Sequence, residues 1–369
     1  MTVGPLLPGG GHAARFDPAP YLAAEKLTAG LADRSWEPDG LAEIVGRLSA
    51  SYRKMKEAQA GLPAAWVPSG EWAHYIAQRQ PVYAALLAGD VSVAARVFAQ
   101  FWRNELQPIV KEYATFEALT GEPSEQNERF VHNIVRNWLV WKDLVRQPTS
   151  VLHTPNIGNV WGYEIDGVVV TPKACRYHLL ATELAGMVAG KASPVIAEIG
   201  GGYGGLAEFF LREHGSASWL DYDLPETAMI AAFFHMGARG PDKVVLYGET
   251  ATPRNRTDVV PGMTYILPNF ELRELEDRST DVVVNMFSLS EVGREPLDAL
   301  LERIQSVTGE WFVHHNMDRH GVVNRGHERI PASTFAIDRS RLPVVATGFD
   351  PFHGVDGDYR WYIHRRPAE

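Results

Sequence analysis

The stretch Val195-Ile-Ala-Glu-Ile-Gly-Gly-Gly-Tyr-Gly-Gly205 decides the fold. Its first five residues form a short apolar run ending in Glu198 and Ile199, which reads as a buried strand. Glycine then fills every position from Gly200 to Gly205 except Tyr203, and from Leu206 to His214 the spacing becomes helical. A strand, a glycine turn and a helix in that order put the turn at the carboxyl edge of a parallel sheet, where a ligand can approach bare backbone. Gly200, Gly202 and Gly205 also satisfy the dinucleotide pattern G-x-G-x-x-G, and acids follow at Asp221 and Asp223. The glycines alone therefore do not name the ligand.

Downstream of the loop, short apolar runs alternate with helical segments, the texture of a mostly parallel sheet. Strands are expected at Thr264 to Leu267, Asp281 to Met286, Trp311 to His315, Pro343 to Thr347 and Tyr359 to His364. A helix is expected from Pro296, since proline is tolerated at a first helical position. The last two strands lie close in sequence, which predicts an antiparallel hairpin at the sheet edge. A second apolar run, Lys243 to Tyr247, competes with Tyr265 to Phe270 for the third strand.

Upstream the texture differs. From Tyr21 to Gln147 the apolar residues recur at helical spacing, as in Leu41, Ile44, Val45, Leu48, Tyr52 and Met55. The final helix carries Phe130, Val131, Ile134, Val135, Trp138, Leu139, Trp141, Leu144 and Val145, a face too wide to leave in water. It belongs to the core or to a homodimer contact. The aromatic residues between Trp72 and Phe101 read as core packing, with no chemistry assigned. Tyr163 to Val170 predicts a hairpin turning at Asp166-Gly167, followed by a helix around Arg176 to Ala189. The expected organisation is a flexible N-terminus over 1–20, a helical domain over 21–150, a linker with hairpin and helix over 151–190, and a cofactor-binding domain over 191–369.

The whole chain has 369 residues, 45% of them hydrophobic and 22% charged, with 35 basic and 45 acidic side chains and a net charge of -10. No stretch gathers Lys and Arg into a phosphate-tracking stripe, so nucleic acid is not an expected partner. Cys175 is the single cysteine and reads as a packing residue in a reducing, cytoplasmic setting. No apolar run reaches the roughly 18 residues of a membrane span, and the first residues lack a signal-like apolar core.

Two features tilt the choice of cofactor. Glu198 stands two residues before the first glycine, where it would oppose a pyrophosphate but complement the cationic end of S-adenosylmethionine. The α/β half also begins midway along the chain, leaving no room for a separate catalytic domain after a dinucleotide fold.

Together, the glycine loop, Asp221-Tyr-Asp-Leu-Pro225 and Asn285-Met-Phe-Ser-Leu-Ser-Glu291 resemble the sugar O-methyltransferases of bacterial secondary-metabolite clusters. The resemblance covers the second half well and the helical half loosely. It implies an α/β, Rossmann-like, seven-stranded methyltransferase sheet behind an N-terminal all-helical domain, with S-adenosylmethionine as cofactor and a small-molecule sugar hydroxyl as acceptor. The implied cofactor residues are Glu198, Gly200, Gly202, Tyr203, Gly204, Asp223, Asn269, Phe270, Asn285 and Ser288. Asp223 would hold the ribose, with Asp221 the less favoured holder, and Asn269 would take the adenine position, where an aspartate is more usual.

Alcohol methylation requires a base. Candidates at the expected carboxyl edge are His315, with Glu291 or Asp318 orienting it, and the substrate side is expected to draw on Tyr163, Arg176, Tyr177, His178, Glu291 and His314. Each has a plain structural alternative: Glu291 at a helix start answers the dipole, and a strand histidine is more often packing. No spacing is diagnostic of a metal site. Competing functions are N-methylation of a cationic acceptor in an acidic pocket of Glu271, Glu291 and Asp318, a nicotinamide-dependent oxidoreductase, and a non-catalytic binding protein.

Overall fold

A computed structural model describes residues 21, 23–36, 40–107, 116–120, 124–353 and 358–367. The expected flexible segment 1–20 lies outside the described residues. Among the described residues seven α-helices come first: α1 (Ala24–Leu31), α2 (Leu41–Gln59), α3 (Gly70–Gln78), α4 (Gln80–Ala88), α5 (Val91–Phe98), α6 (Phe116–Thr120) and α7 (Glu125–Val145). Asp90 and Ser124 cap α5 and α7 by accepting backbone N–H groups of the first turn.

Strands β1 (Tyr163–Ile165) and β2 (Val168–Val170) form the expected hairpin. Its turn residues Asp166 and Gly167 have φ of 51° and 77°, the left-handed pair that a two-residue hairpin needs. Helix α8 (Ala174–Met187) then leads into an eight-stranded sheet.

The sheet comprises β3 (Val195–Ile199), β4 (Ser218–Asp223), β5 (Val244–Leu246), β6 (Thr264–Pro268), β7 (Thr280–Met286), β8 (Thr308–Met317), β11 (Val344–Phe349) and β12 (Tyr359–Arg365). Two two-residue strands, β9 (Val323–Asn324) and β10 (His327–Glu328), pair outside it. The spatial order is β11-β12-β8-β7-β3-β4-β6-β5. Strands β3 to β8 run parallel, and β12 is antiparallel to both β8 and β11, as the closing hairpin predicted. The sheet has eight strands rather than seven because both competing runs are strands. Tyr265's strand β6 takes the place beside β4, and Val244–Leu246 adds a parallel edge outside it. The helix α11 (Arg294–Val307) starts two residues before Pro296.

Parallel strands need both faces covered. Helices α9 (Gly205–Leu211) and α10 (Pro225–Arg239) cover one face through Phe209, Phe210, Ile230 and Phe233. α11 covers the other through Leu297, Leu301 and Ile304. The N-terminal helices stack outside α10 and α8 in one continuous apolar core, which takes in Phe130, Ile134, Trp138 and Trp141 of α7 and the buried Cys175. One segment leaves this layer: after α2, Ala65 and Trp66 are buried in the opposite core with α11. The chain between α2 and α3 therefore wraps around the carboxyl edge of the sheet. Among the described residues no helix is long and apolar enough to cross a membrane.

Candidate active site

The chain order fixes where a ligand can enter. From β3 the connections run outward to β4 and β6, then return to the other side of β3 with β7, so the switch point lies between β3 and β7. There Asn285 Nδ2 donates to the carbonyl of Ile199 at 2.7 Å and to Ser288 Oγ at 2.6 Å. Asn285 Oδ1 accepts from Asn316 Nδ2 at 2.8 Å, which joins β8 to the same junction.

Gly200, Gly202 and Gly204 all have φ between 66° and 85°, a region where a side chain is strained. A Cβ on Gly200 would collide with Ser288 and one on Gly204 with His235, whereas Gly202 has no neighbour within 4 Å of that position. Its free side is the pocket. The lining also includes Ile199, Asp223, Asn269, Ser288 and Leu289 from the strand ends, and Val67, Ser69 and Trp72 from the helical half. Inside it, Asn269 Oδ1 and Trp72 Nε1 are buried with no hydrogen-bond partner.

Three carboxylates sit beneath the loop. Asp223 accepts the backbone N–H of Gly202 at 2.9 Å and of Leu224 at 2.7 Å. Glu198 accepts from Trp219 Nε1 at 3.0 Å. Asp221 packs directly against Gly201, whose missing side chain leaves it room. Burial pushes all three upward, Glu198 to about 8, Asp223 to about 7 and Asp221 well above the usual carboxylate range, where Asp223 and Glu198 reinforce the effect. None of the three has an ion-pair partner among the described residues. Burial without a counter-charge thus keeps these carboxyls largely protonated near neutrality, and a bound cation would favour their ionised form.

The remaining expected residues divide. Ser288, Asn285 and Asn269 join the loop. Phe270 instead fills the core, edge-on to Tyr247. Tyr203, expected at the cofactor, turns away from the pocket into a nest of Trp102, Tyr177 and Phe234. Tyr177 packs in that nest, and His178 accepts from Trp141 Nε1 at 3.2 Å, its imidazole held neutral by burial with a value lowered to about 4. Tyr163 is buried under α1, its hydroxyl donating to the Tyr21 carbonyl at 2.7 Å. These three anchor the helical half and do not face the pocket.

Strand alternation separates the two histidines. His314 stacks among Phe312, Phe335, Tyr362 and His364 in the core beneath the sheet, which removes it from any substrate. His315 faces the other way, towards Asp350 and Arg176. Its Nδ1 has no hydrogen-bond partner, and burial lowers it to about 4, so it is a neutral base at physiological pH. The expected arrangement with Glu291 or Asp318 does not form. Asp318 instead accepts from Tyr362 at 2.9 Å and pairs with Arg360 at 3.2 Å, and Glu291 pairs with Arg329 at 3.2 Å. Glu271 pairs with Arg254 at 3.0 Å, so an acidic pocket of Glu271, Glu291 and Asp318 is not assembled.

Sequence reasoning missed several residues. Asp350 accepts from Arg176 Nε at 2.9 Å and holds its carboxyl far below the ordinary range. Phe287 has φ of 70°, unusual for an aromatic residue, and stands between the Arg176 guanidinium at 5.0 Å and the Tyr359 ring at 5.2 Å. Trp72 carries no motif. Only the long-range wrap of its segment brings it here. Among the described residues no group of three or more His, Cys, Asp or Glu could hold a metal ion.

No family model and no curated relative matches the sequence. Among solved structures the chain is similar to the mitomycin 7-O-methyltransferase MmcR, at 17% identity over 53% of this chain and 56% of that one, with a TM-score of 0.36. The matched region thus spans little more than half of that protein's length. It is also similar to geranyl diphosphate C-methyltransferase from Streptomyces coelicolor A3(2), at 12% identity over 51% of this chain and 77% of that one, TM-score 0.37. A third is the Burkholderia thailandensis 1,6-didemethyltoxoflavin-N1-methyltransferase, at 14% identity over 52% and 79%, TM-score 0.35.

Proposed function

We propose that this chain is an S-adenosylmethionine-dependent methyltransferase acting on a small molecule. The observation that carries the reading is the set of three buried carboxylates, Glu198, Asp221 and Asp223, lying without a counter-cation beneath a glycine loop at the sheet's switch point. A cofactor with a sulfonium and an ammonium group would stabilise the ionised form of these carboxyls, whereas a pyrophosphate would oppose it. The residues present fit such a group. Gly200, Gly202 and Gly204 give backbone access, Asp223 ends the strand where a diol would lie, and Asn269 Oδ1 is an unpaired acceptor for an exocyclic amine.

When bound, the cofactor supplies a methyl group for in-line displacement with a neutral leaving group. The protein's own tasks are alignment, exclusion of water and removal of the acceptor's proton. Wall residues Val67, Leu289 and Val292 keep the pocket dry. His315 is the proposed base. It is neutral, its buried Nδ1 has no hydrogen-bond partner, and the Asp350 carboxylate favours the imidazolium that proton uptake creates, against the opposing Arg176 and His353.

For the acceptor we infer a hydroxyl, a sugar in keeping with the sequence resemblance. A neutral base is needed for an alcohol, and the acidic pocket that a cationic nitrogen would favour is neutralised arginine by arginine. Incubation with methyl-labelled cofactor and a panel of sugars, nucleotide sugars and amines, followed by mass spectrometry, tests this. Label on a sugar oxygen is the expected result; label on nitrogen contradicts the hydroxyl reading.

A further inference from the structure

The helical half contributes a wall to the pocket, and its attachment is specific. α2 packs on α10 on one side of the sheet, and Trp66 is buried against α11 on the other, so the connecting strap crosses the carboxyl edge directly over the glycine loop. Val67, Ser69 and Trp72 line the pocket opposite Gly200, Gly202, Asp223 and Asn269. The strap is bolted down where it ends. Gly70 approaches the Glu291 carbonyl so closely that a Cβ would collide with it. Glu71, 1% exposed, receives Arg329 through both oxygens, at 2.8 and 3.2 Å, and Asn324 Nδ2 at 2.6 Å. Arg329 also reaches Glu291 at 3.2 Å and the Tyr359 hydroxyl at 2.8 Å. Such a buried, bidentate pair fixes position more than it adds stability.

Trp72 is the next residue after this anchor. Its Nε1–H is buried without an acceptor, and Asn269 Oδ1 in the same pocket is buried without a donor. An orphaned donor and an orphaned acceptor lining one cavity are the complement of a group that presents both a ring nitrogen acceptor and an amine donor, as an adenine edge does.

We propose that the Ala65–Trp72 strap is the outer wall of the cofactor pocket and that Trp72 recognises the bound nucleoside, donating its indole N–H to it while Asn269 accepts from it. This rests on the methyltransferase reading above. It makes the helical half part of the cofactor site.

The test is calorimetric titration of the full chain and of Trp72→Phe with S-adenosylhomocysteine, together with amide hydrogen exchange of the strap with and without that ligand. Trp72→Phe keeps a ring and loses the N–H, so affinity is expected to fall about tenfold, the loss of one hydrogen bond to a buried group. Its thermal midpoint without ligand is expected to be unchanged, and amides around Ser69 to Trp72 in the parent are expected to exchange more slowly once ligand is added. If the parent binds but Trp72→Phe binds equally well and the strap gains no protection, the wall role is overturned while the methyltransferase reading stands. If the parent does not bind at all, both are overturned.

Discussion

The carboxylate of Asp223 accepts the backbone N–H of Gly202 at 2.9 Å, so the acid that ends β4 is tied to the glycine loop that ends β3. Loop shape and acid position are thus one feature. Asp223→Asn keeps the size but loses the charge, and the charge-assisted bond is worth about 1.5–3 kcal/mol. Calorimetry is expected to show S-adenosylmethionine binding weakened by about 10- to 100-fold. Affinity within twofold of the parent would remove Asp223 from the site.

The three glycines make separable predictions. Gly200→Ala and Gly204→Ala each combine a left-handed φ with a collision, against Ser288 and His235 respectively, and should cost about 1–3 kcal/mol in urea denaturation. Gly202→Ala meets open space, so its stability cost should be near 1 kcal/mol, about the price of the left-handed φ alone. Its methyl group enters the pocket, so cofactor affinity should suffer more than folding. Equal stability losses at all three positions would contradict the loop geometry.

Much of this architecture was legible in the sequence. The Asp166-Gly167 turn, the glycine loop, the closing hairpin and α7 each rest on local rules about φ, capping and periodicity, which a single chain displays. What escaped reading depends on distance or facing. Lys243 to Tyr247 reads as strand-like, but nothing local says that its place is the edge outside β6 and not beside β4. Tyr203 sits inside the motif yet points into the helical core, since a loop's side-chain direction is set by what packs behind it. His314 and His315 are neighbours in sequence on opposite faces of β8. Trp72 and the Glu71–Arg329 pair, 258 positions apart, carry no local signature.

Buried titrating groups give the protein opposed pH responses that overlap below pH 6.5 and leave the carboxyls unopposed above it. His178, His235 and His315 are lowered to about 4, 3 and 4, so the unfolded chain takes up protons below pH 6.5 that the folded chain refuses. Their contribution is whole above 6.5 and is lost as pH falls towards 4. Glu198 and Asp223, raised to about 8 and 7, keep protons that the unfolded chain releases from about pH 4, so their contribution is lost progressively from there to about pH 7 and 8; it opposes the histidines below 6.5 and stands alone above it, where stability without cofactor falls. The slope is at most about 1.4 kcal/mol per pH unit per group. Thermal melting should show the alkaline decline in the parent and a flatter curve in Glu198→Gln. A parent curve rising from pH 6.5 to 8 would contradict this.

Removing Arg329 leaves Glu71 buried without its ion-pair partner, with Asn324 Nδ2 still donating to it. Arg329→Met is expected to destabilise the fold by about 3–5 kcal/mol, and adding Glu71→Gln should restore part of that loss. Denaturant midpoints of the two variants check it, and a double variant no more stable than Arg329→Met would contradict the pairing.

His315→Ala should lower methyl transfer by about 10²- to 10⁴-fold, the usual range for a lost general base. Binding of S-adenosylhomocysteine should be unchanged, since His315 does not line the cofactor pocket. Full transfer activity in this variant would exclude it as the base.

The most direct test of the central claim is calorimetric titration of the unmodified chain at neutral pH with S-adenosylmethionine, S-adenosylhomocysteine and NADH in turn. The carboxylates beneath the glycine loop predict saturable one-to-one binding of the two sulfur nucleosides and no heat from NADH. Saturable NADH binding with no response to S-adenosylmethionine would contradict the account.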